Sequence, residues 1–417
     1  MLLVYVGAMK GNAAISRLPI DLTLLAILLV VLAFILYLVR GHRVPRAVLA
    51  PLLLWVAFIP GALLAWSAGQ GTQKMLTLFT VTLMIAVLSP VLLQTRGARH
   101  VWLNGVMAFG ALLLALSFAF PDTETSQTYG RLVQEGGTTI TTGQLIGAGG
   151  VVALLSALGP GRKHRVLRLT LAAILAAGVL LVGSRGPFLA LLLALTVTLL
   201  FGRAFVRSRP LLITAWAAVA VGAVWFVFNT DIRSAARIAN FFANRRDLAR
   251  EYYFETAMDG IVVEPAGFGW GGFAHLVGMG WTDSSSVPAY PHNLFLEVFL
   301  EGGWVAGVAL VLFVLASLLR LWRRSGTPEG AMLLGLAVYW LVAAQTSSDV
   351  NGNRMMWASL ALAFVTIEDS ELGQEQEPVA RPRVRYRYAD SVAPLDGQGF
   401  DQAPGHVLPS TRRPAAD

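Results

Sequence analysis

Between residues 20 and 367 the chain carries eleven long apolar runs, and no other feature restricts its possible folds so sharply. They fall at about residues 20–39, 47–66, 75–93, 101–120, 143–158, 166–182, 187–201, 211–228, 303–319, 332–344 and 351–367. A hydrocarbon layer about 30 Å thick is crossed by about 20 apolar residues rising 1.5 Å each in a helix. Within lipid, only a helix or a closed barrel pairs every backbone N–H and C=O. The runs are continuous and rich in Leu, Ala and Val, whereas barrel strands alternate polar and apolar residues, so the barrel is excluded. A composition of 56% hydrophobic and 13% charged residues lies far from the balance of soluble domains. The reading is an all-α polytopic membrane bundle of about 11 to 12 transmembrane helices. The opening MLLVYVGAM is too short to span and lacks the charged start of a signal peptide, which leaves an interfacial helix or part of a twelfth span. With no cysteine in the chain, disulfides and thiolate metal sites are excluded.

Basic residues then orient the bundle. Alternate short loops carry Arg40, Arg43 and Arg46; Arg96 and Arg99; Arg162, Lys163, Arg165 and Arg168; Arg203, Arg207 and Arg209; and Arg320, Arg323 and Arg324. The positive-inside rule makes those loops cytoplasmic. The intervening loops hold only Lys74, Arg131, Arg185 and Arg354, one apiece. Residues 1–228 are therefore expected to form an N-terminal bundle of about eight spans, 229–302 a long extracytoplasmic loop, and 303–367 about three further spans. Residues 368–417 read as a disordered cytoplasmic tail, acidic at first and then basic around RPRVRYRY. A basic stretch just after a last span contacts anionic lipid more readily than nucleic acid, and the net charge of +8 reflects the cytoplasmic loops.

Arginines on the outer side run against the charge bias and invite a functional reason. Arg185 lies in the tight hairpin LLVGSRGPFLALL, Arg131 in a loop rich in Gly and Thr, and Arg354 at the first turn of the last span. Taken singly, each could snorkel to lipid headgroups. The long loop combines apolar residues at helical spacing with Arg233, Arg237, Arg245, Arg246 and Arg250, the pattern of amphipathic helices lying over the outer face. Its GFGWGG is read as a glycine-rich turn beside a cavity, since no βαβ unit flanks it as a dinucleotide site requires.

His292 and Asn293 open the next helix in YPHNLFLEVFLEGGW. A neutral imidazole there is a general-base candidate, weighed against a histidine merely hydrogen-bonded at an interface. No other histidine stands at helical metal-ligand spacing to His292, so no metal site is expected. Glu297 is a carboxylate in a membrane helix, which must be paired, with an arginine or through a structural hydrogen bond.

The ordered set VGSRGPFLALLLAL, REYYFETAMDGIVVEPAGFGWGGF and PHNLFLEVFLEGGWVAGVAL resembles the O-antigen ligase and O-antigen polymerase superfamily. The similarity runs from about Arg131 to Trp357. It implies a membrane glycosyltransferase, metal-independent and without cofactor, taking a polyprenyl-diphosphate-linked glycan as donor. The acceptor is lipid A-core in the ligase branch, the preferred one, and a second lipid-linked glycan in the polymerase branch. The resemblance carries Arg185, Arg250 and His292 over as catalytic, while Arg131, Asn293, Glu297 and Arg354 are substrate-binding candidates. The implied location is the bacterial inner membrane with the active site facing the periplasm.

The residue types suit that chemistry in their own right. A diphosphate leaving group needs cationic stabilisation more than a general acid, and guanidinium forks supply it. An acceptor hydroxyl must lose a proton, which His292 can take. A transporter of an anionic lipid or solute is the alternative from another class; it would be expected to carry internal repeats and mid-membrane polar residues, and neither stands out.

Overall fold

The computed structural model describes residues 21–65, 70–123, 131–135, 137–159, 164–229, 248–277 and 289–365. The opening apolar stretch, the tail 368–417 and Arg233, Arg237, Arg245 and Arg246 lie outside the described residues. Fourteen α-helices are described: α1 (Leu22–Val39), α2 (Leu49–Leu63), α3 (Gln70–Thr77), α4 (Leu83–Leu92), α5 (Arg96–Ala119), α6 (Thr139–Leu158) and α7 (Arg165–Val182). They continue with α8 (Arg185–Phe201), α9 (Arg209–Asn229), α10 (Leu248–Val263), α11 (Gly272–Leu276), α12 (Leu294–Arg324), α13 (Pro328–Ala344) and α14 (Arg354–Ala361). No strand occurs among the described residues; one isolated bridge joins Pro121 to Gln134.

Seven helices among the described residues are long and apolar enough to cross a membrane, and four shorter apolar helices accompany them. Each of the eleven runs coincides with one of these, so the polytopic all-α bundle holds. A π turn at Leu78–Thr82 joins α3 to α4 within one span. The last span is the shortest, because residues 345–353 enter the bundle as irregular chain before α14 begins. Such backbone is tolerated at membrane depth only when protein surrounds it. Accordingly Asn351, Asn353 and Ser347 are buried, and Thr82 Oγ1 donates to Asn351 Oδ1 at 2.8 Å while Asn351 Nδ2 donates to the Lys74 carbonyl at 2.9 Å.

Helix α6 forms the centre, packed by α5, α7, α8 and α13 and buried along most of its length. Its small residues let neighbours approach, as is usual where lipid supplies no hydrophobic drive between helices. The Tyr339 ring of α13 lies across Gly147, and its hydroxyl donates to the Gln144 carbonyl at 2.8 Å. By contrast α1 buries only Ala26 and exposes a broad apolar surface suited to lipid.

The two ends of the bundle differ. At one end Arg99 pairs with Glu329 and donates to the Leu93 carbonyl at 3.3 Å, and Arg203 joins the turn at Ser325. At the other end begin α6, α8, α12 and α14. Helix α12 starts at Leu294, nine residues before the expected span, and breaks at Gly303 (φ 79°, ψ 177°), a conformation only glycine adopts readily. The GFGWGG turn fills that break. Phe268 N–H donates to the Leu300 carbonyl at 2.9 Å and Trp304 N–H to the Pro265 carbonyl at 3.0 Å, while buried Trp270 donates its indole N–H to the Phe58 carbonyl at 3.1 Å. Gly269 (φ 77°) presses on α2, where a Cβ would stand 2.2 Å from the Leu64 carbonyl oxygen.

Candidate functional site

Residues 294–302, the short piece of α12 before its break, carry the site's foundation. Glu297 and Glu301 stand four residues apart, on one helix face, and both are completely buried. Lys74 of α3 meets them together, its Nζ 2.6 Å from Glu297 Oε1 and 2.5 Å from Glu301 Oε2. Glu301 Oε1 also accepts the Phe273 N–H at 3.3 Å, tying the glycine-rich turn to the same helix. Glu297 is thus paired as expected of a carboxylate at this depth, though with a lysine rather than an arginine. Asn293 Oδ1 accepts the Leu296 N–H at 3.1 Å and caps α12, so this oxygen serves the helix start.

His292 immediately precedes that cap in a left-handed conformation (φ 56°). Non-glycine residues rarely adopt it, and where they do the surroundings enforce it. Two rings hold the imidazole: Tyr290 at a centroid distance of 4.3 Å and Tyr253 of α10 stacked at 6.2 Å. Tyr253 packs edge-on against Phe273 at 5.4 Å, and Ala257, Ile261, Phe273, Leu296 and Leu300 form a small core beneath α10. That core fixes α10 over the start of α12. Arg250 lies three residues before Tyr253, one turn along the same helix face.

Arg250 enters a cavity of about 150 Å³ together with Arg131 and Arg185, which Ser184, Thr346 and Ser347 also line. Three arginines far apart in sequence therefore converge, and among the described residues no carboxylate lines the cavity. Arg185 is the first residue of α8, and Thr139 and Ile140 bring the first turn of α6 to the same space. Helix N-termini present unpaired N–H groups and a partial positive charge, so backbone and side chains favour an anion here. Arg131 is set by its flanking strand-like chain, where Leu132 N–H donates to the Leu181 carbonyl at 3.1 Å. Arg354, at the start of α14, stands within electrostatic reach of Asp349 and is not among the residues lining this cavity.

Tyr290 packs on His292 and stands within electrostatic reach of Arg250. Burial, then the nearby Asp349 carboxylate, push its phenol above the ordinary tyrosine range, and Arg250 acts in the opposite sense. Among the described residues, no three of the histidines, aspartates and glutamates gather closely enough to hold a metal ion.

The hairpin of Arg185, the helix bearing Arg250 and the start of α12 all fall in one continuous stretch. Residues 170–311 match the O-antigen ligase family model. The resemblance read around Arg185 and His292 is borne out over that stretch, which holds Arg185, Arg250, His292, Asn293 and Glu297 and excludes Arg131 and Arg354. The O-antigen ligase match supports a membrane glycosyltransferase of the ligase and polymerase type, acting on lipid-linked glycans. No curated protein and no solved structure matches the chain.

Sequence reasoning passed over Lys74, Glu301, Tyr290 and Asp349. Two glutamates at i and i+4 in an apolar helix demand a cation, and Lys74, at the mouth of a span, was the signal that could have answered them.

Proposed function

We propose that this protein transfers a glycan from a polyprenyl-diphosphate carrier to an acceptor hydroxyl on the outer face of the inner membrane, with lipid A-core as acceptor. The observation that carries the reading is the convergence of Arg131, Arg185 and Arg250 on one cavity at the start of two helices. A diphosphate is the anion such a cavity suits. Guanidinium groups bind phosphate oxygens in fixed geometry and stay charged, and fixed donors of this kind are worth more in a water-poor site than in water.

His292, held by Tyr290 and Tyr253, takes the proton from the acceptor hydroxyl as its oxygen attacks the anomeric carbon. The bond from that carbon to the diphosphate oxygen breaks, the departing oxygen keeps the electron pair, and the arginines neutralise the charge. Attack opposite the leaving group inverts the anomeric centre. No step in this scheme draws on a metal ion. The polyprenyl tail remains in lipid, reaching the site laterally near Arg185, and the tail 368–417 stays cytoplasmic. The polymerase branch differs only in the acceptor, a second lipid-linked glycan.

The test is transfer by purified protein in chelator, with polyprenyl-diphosphate glycan as donor and lipid A-core or a second donor molecule as acceptor. Wild type glycosylates lipid A-core. His292→Ala lowers the rate about 10²- to 10⁴-fold, and Arg185→Lys lowers it although charge is retained. Longer lipid-linked chains alone assign a polymerase; no covalent product with either acceptor refutes the transferase.

A further inference from the structure

A second polar cavity, of about 170 Å³, is lined by Tyr290, which packs on the same histidine. Gln73, Lys74 and Thr77 of α3 line it with Tyr290, Asp349 and Asn351. The two cavities share the irregular segment before α14: Ser347 faces the arginine cavity and Asp349, two residues on, faces this one. Tyr290 marks the junction, since it lines the second cavity, touches His292 at 4.3 Å, and lies within electrostatic reach of both Arg250 and Asp349.

The charges lining the two differ. Among the described residues three guanidinium groups and no carboxylate line the first. Lys74 and Asp349 bring one charge of each sign to the second, and the Lys74 ammonium is already held by Glu297 and Glu301 behind the wall. Phosphate and acidic sugars therefore meet the Asp349 carboxylate there and an ammonium that is already paired. The lining of amides, hydroxyl, carboxylate and one aromatic ring instead offers donors and acceptors for sugar hydroxyls over an apolar ring face. Ser348, between the two faces, adopts a left-handed conformation (φ 72°), as His292 does. Both strained residues thus stand at the junction, where a structure holds them for use.

We infer that the cavity of Gln73, Thr77, Asp349 and Asn351 binds an uncharged sugar of the acceptor and delivers its hydroxyl to His292. This rests on the transferase reading above. Charge sorts the two substrates: the diphosphate enters the cationic cavity, the neutral sugar the one whose charges are balanced, and the base packs on Tyr290 at its edge.

The test uses the full-length protein in nanodiscs with Gln73→Trp, which fills the exposed rim of the cavity, and Thr77→Ala, which removes one hydroxyl from its wall. With donor saturating, both variants raise the KM for acceptor, Gln73→Trp by ten-fold or more, and leave the KM for donor within two-fold. If acceptor KM is unchanged in both, or donor KM rises in step, the assignment is wrong. Saturation-transfer NMR with methyl β-glucoside and methyl β-glucuronide separates this from the transferase reading, because it needs no turnover. Wild type binds the glucoside and rejects the glucuronide, and Gln73→Trp loses the glucoside. Should wild type catalyse no transfer yet bind the glucoside in this way, the saccharide site stands while the transferase falls. Absence of glucoside binding by wild type, or equal binding of the glucuronide, overturns the inference. If Gln73→Trp fails to fold, the Thr77→Ala acceptor KM decides.

Discussion

Replacing Lys74 with methionine keeps the stem that packs on α12 and removes the ammonium. Two fully buried carboxylates, 2.6 and 2.5 Å from its nitrogen, then lose their common counter-ion. Breaking a buried pair by removing one partner costs about 3–5 kcal/mol, and here one cation serves two acids, so the upper part of that range applies. Protonation of one glutamate caps the loss. At about 1.4 kcal/mol per decade, the folding equilibrium falls by about three to three and a half decades. Denaturant unfolding in mild detergent, followed by near-ultraviolet circular dichroism, reads the change. The triple variant Lys74→Met, Glu297→Gln, Glu301→Gln carries no net charge at the cluster and recovers most of the stability, since neutral polar groups can hydrogen-bond without an ion. Activity behaves differently. The cluster holds the short piece of α12 that His292 directly precedes, so the single variant loses transfer more than its folded fraction explains. A Lys74→Met shift no larger than that of an exposed lysine, or a triple variant as unstable as the single one, would refute the argument.

Other consequences are accessible to simpler experiments. Gly303→Ala forces a side chain into a conformation essentially reserved for glycine, where its Cβ would stand 2.3 Å from the Ala266 carbonyl oxygen, and costs at least about 1–3 kcal/mol by the same unfolding assay. Tyr290 keeps its proton above the usual tyrosine range, so its contribution to stability is complete below the unfolded value of about 10 and disappears as pH rises through the folded one. Tyr290→Phe removes that alkaline loss in a comparison of stability against pH. Because the chain has no cysteine, a single one at Gln73 or Arg323 is a unique label; an impermeant maleimide applied outside intact cells modifies the first and spares the second if the site faces outward.

Much of the architecture was written in periodicity and charge. Each apolar run became a helix because lipid leaves the backbone no other partner, and the arginine asymmetry separated the two ends. Arg131, Arg185 and Arg354 were legible as residues contrary to the bias; the first two converge with Arg250, which the family resemblance supplied, and Arg354 stands apart from that cavity. Residues 294–302 were not, because a glycine pair in an apolar stretch gives no sign that φ turns positive and divides the helix. The segment 345–353 was equally hidden: the last apolar run reads as a span from 351, whereas hydrogen bonds to Thr82 and Lys74 hold Asn351 inside as irregular chain ahead of a helix that begins at Arg354. Asn293, a substrate-binding candidate, also carries an ordinary capping signal in its position just before an apolar helix.

The left-handed Ser348 has an implication for anyone engineering this protein. Glycine fits that backbone without penalty, so a screen for heat resistance would favour Ser348→Gly. The same change would release the restraint that keeps Ser347 and Asp349 turned to their separate cavities. Hardiness and turnover should therefore be traded against each other at this one position, and selection for the first would erode the second.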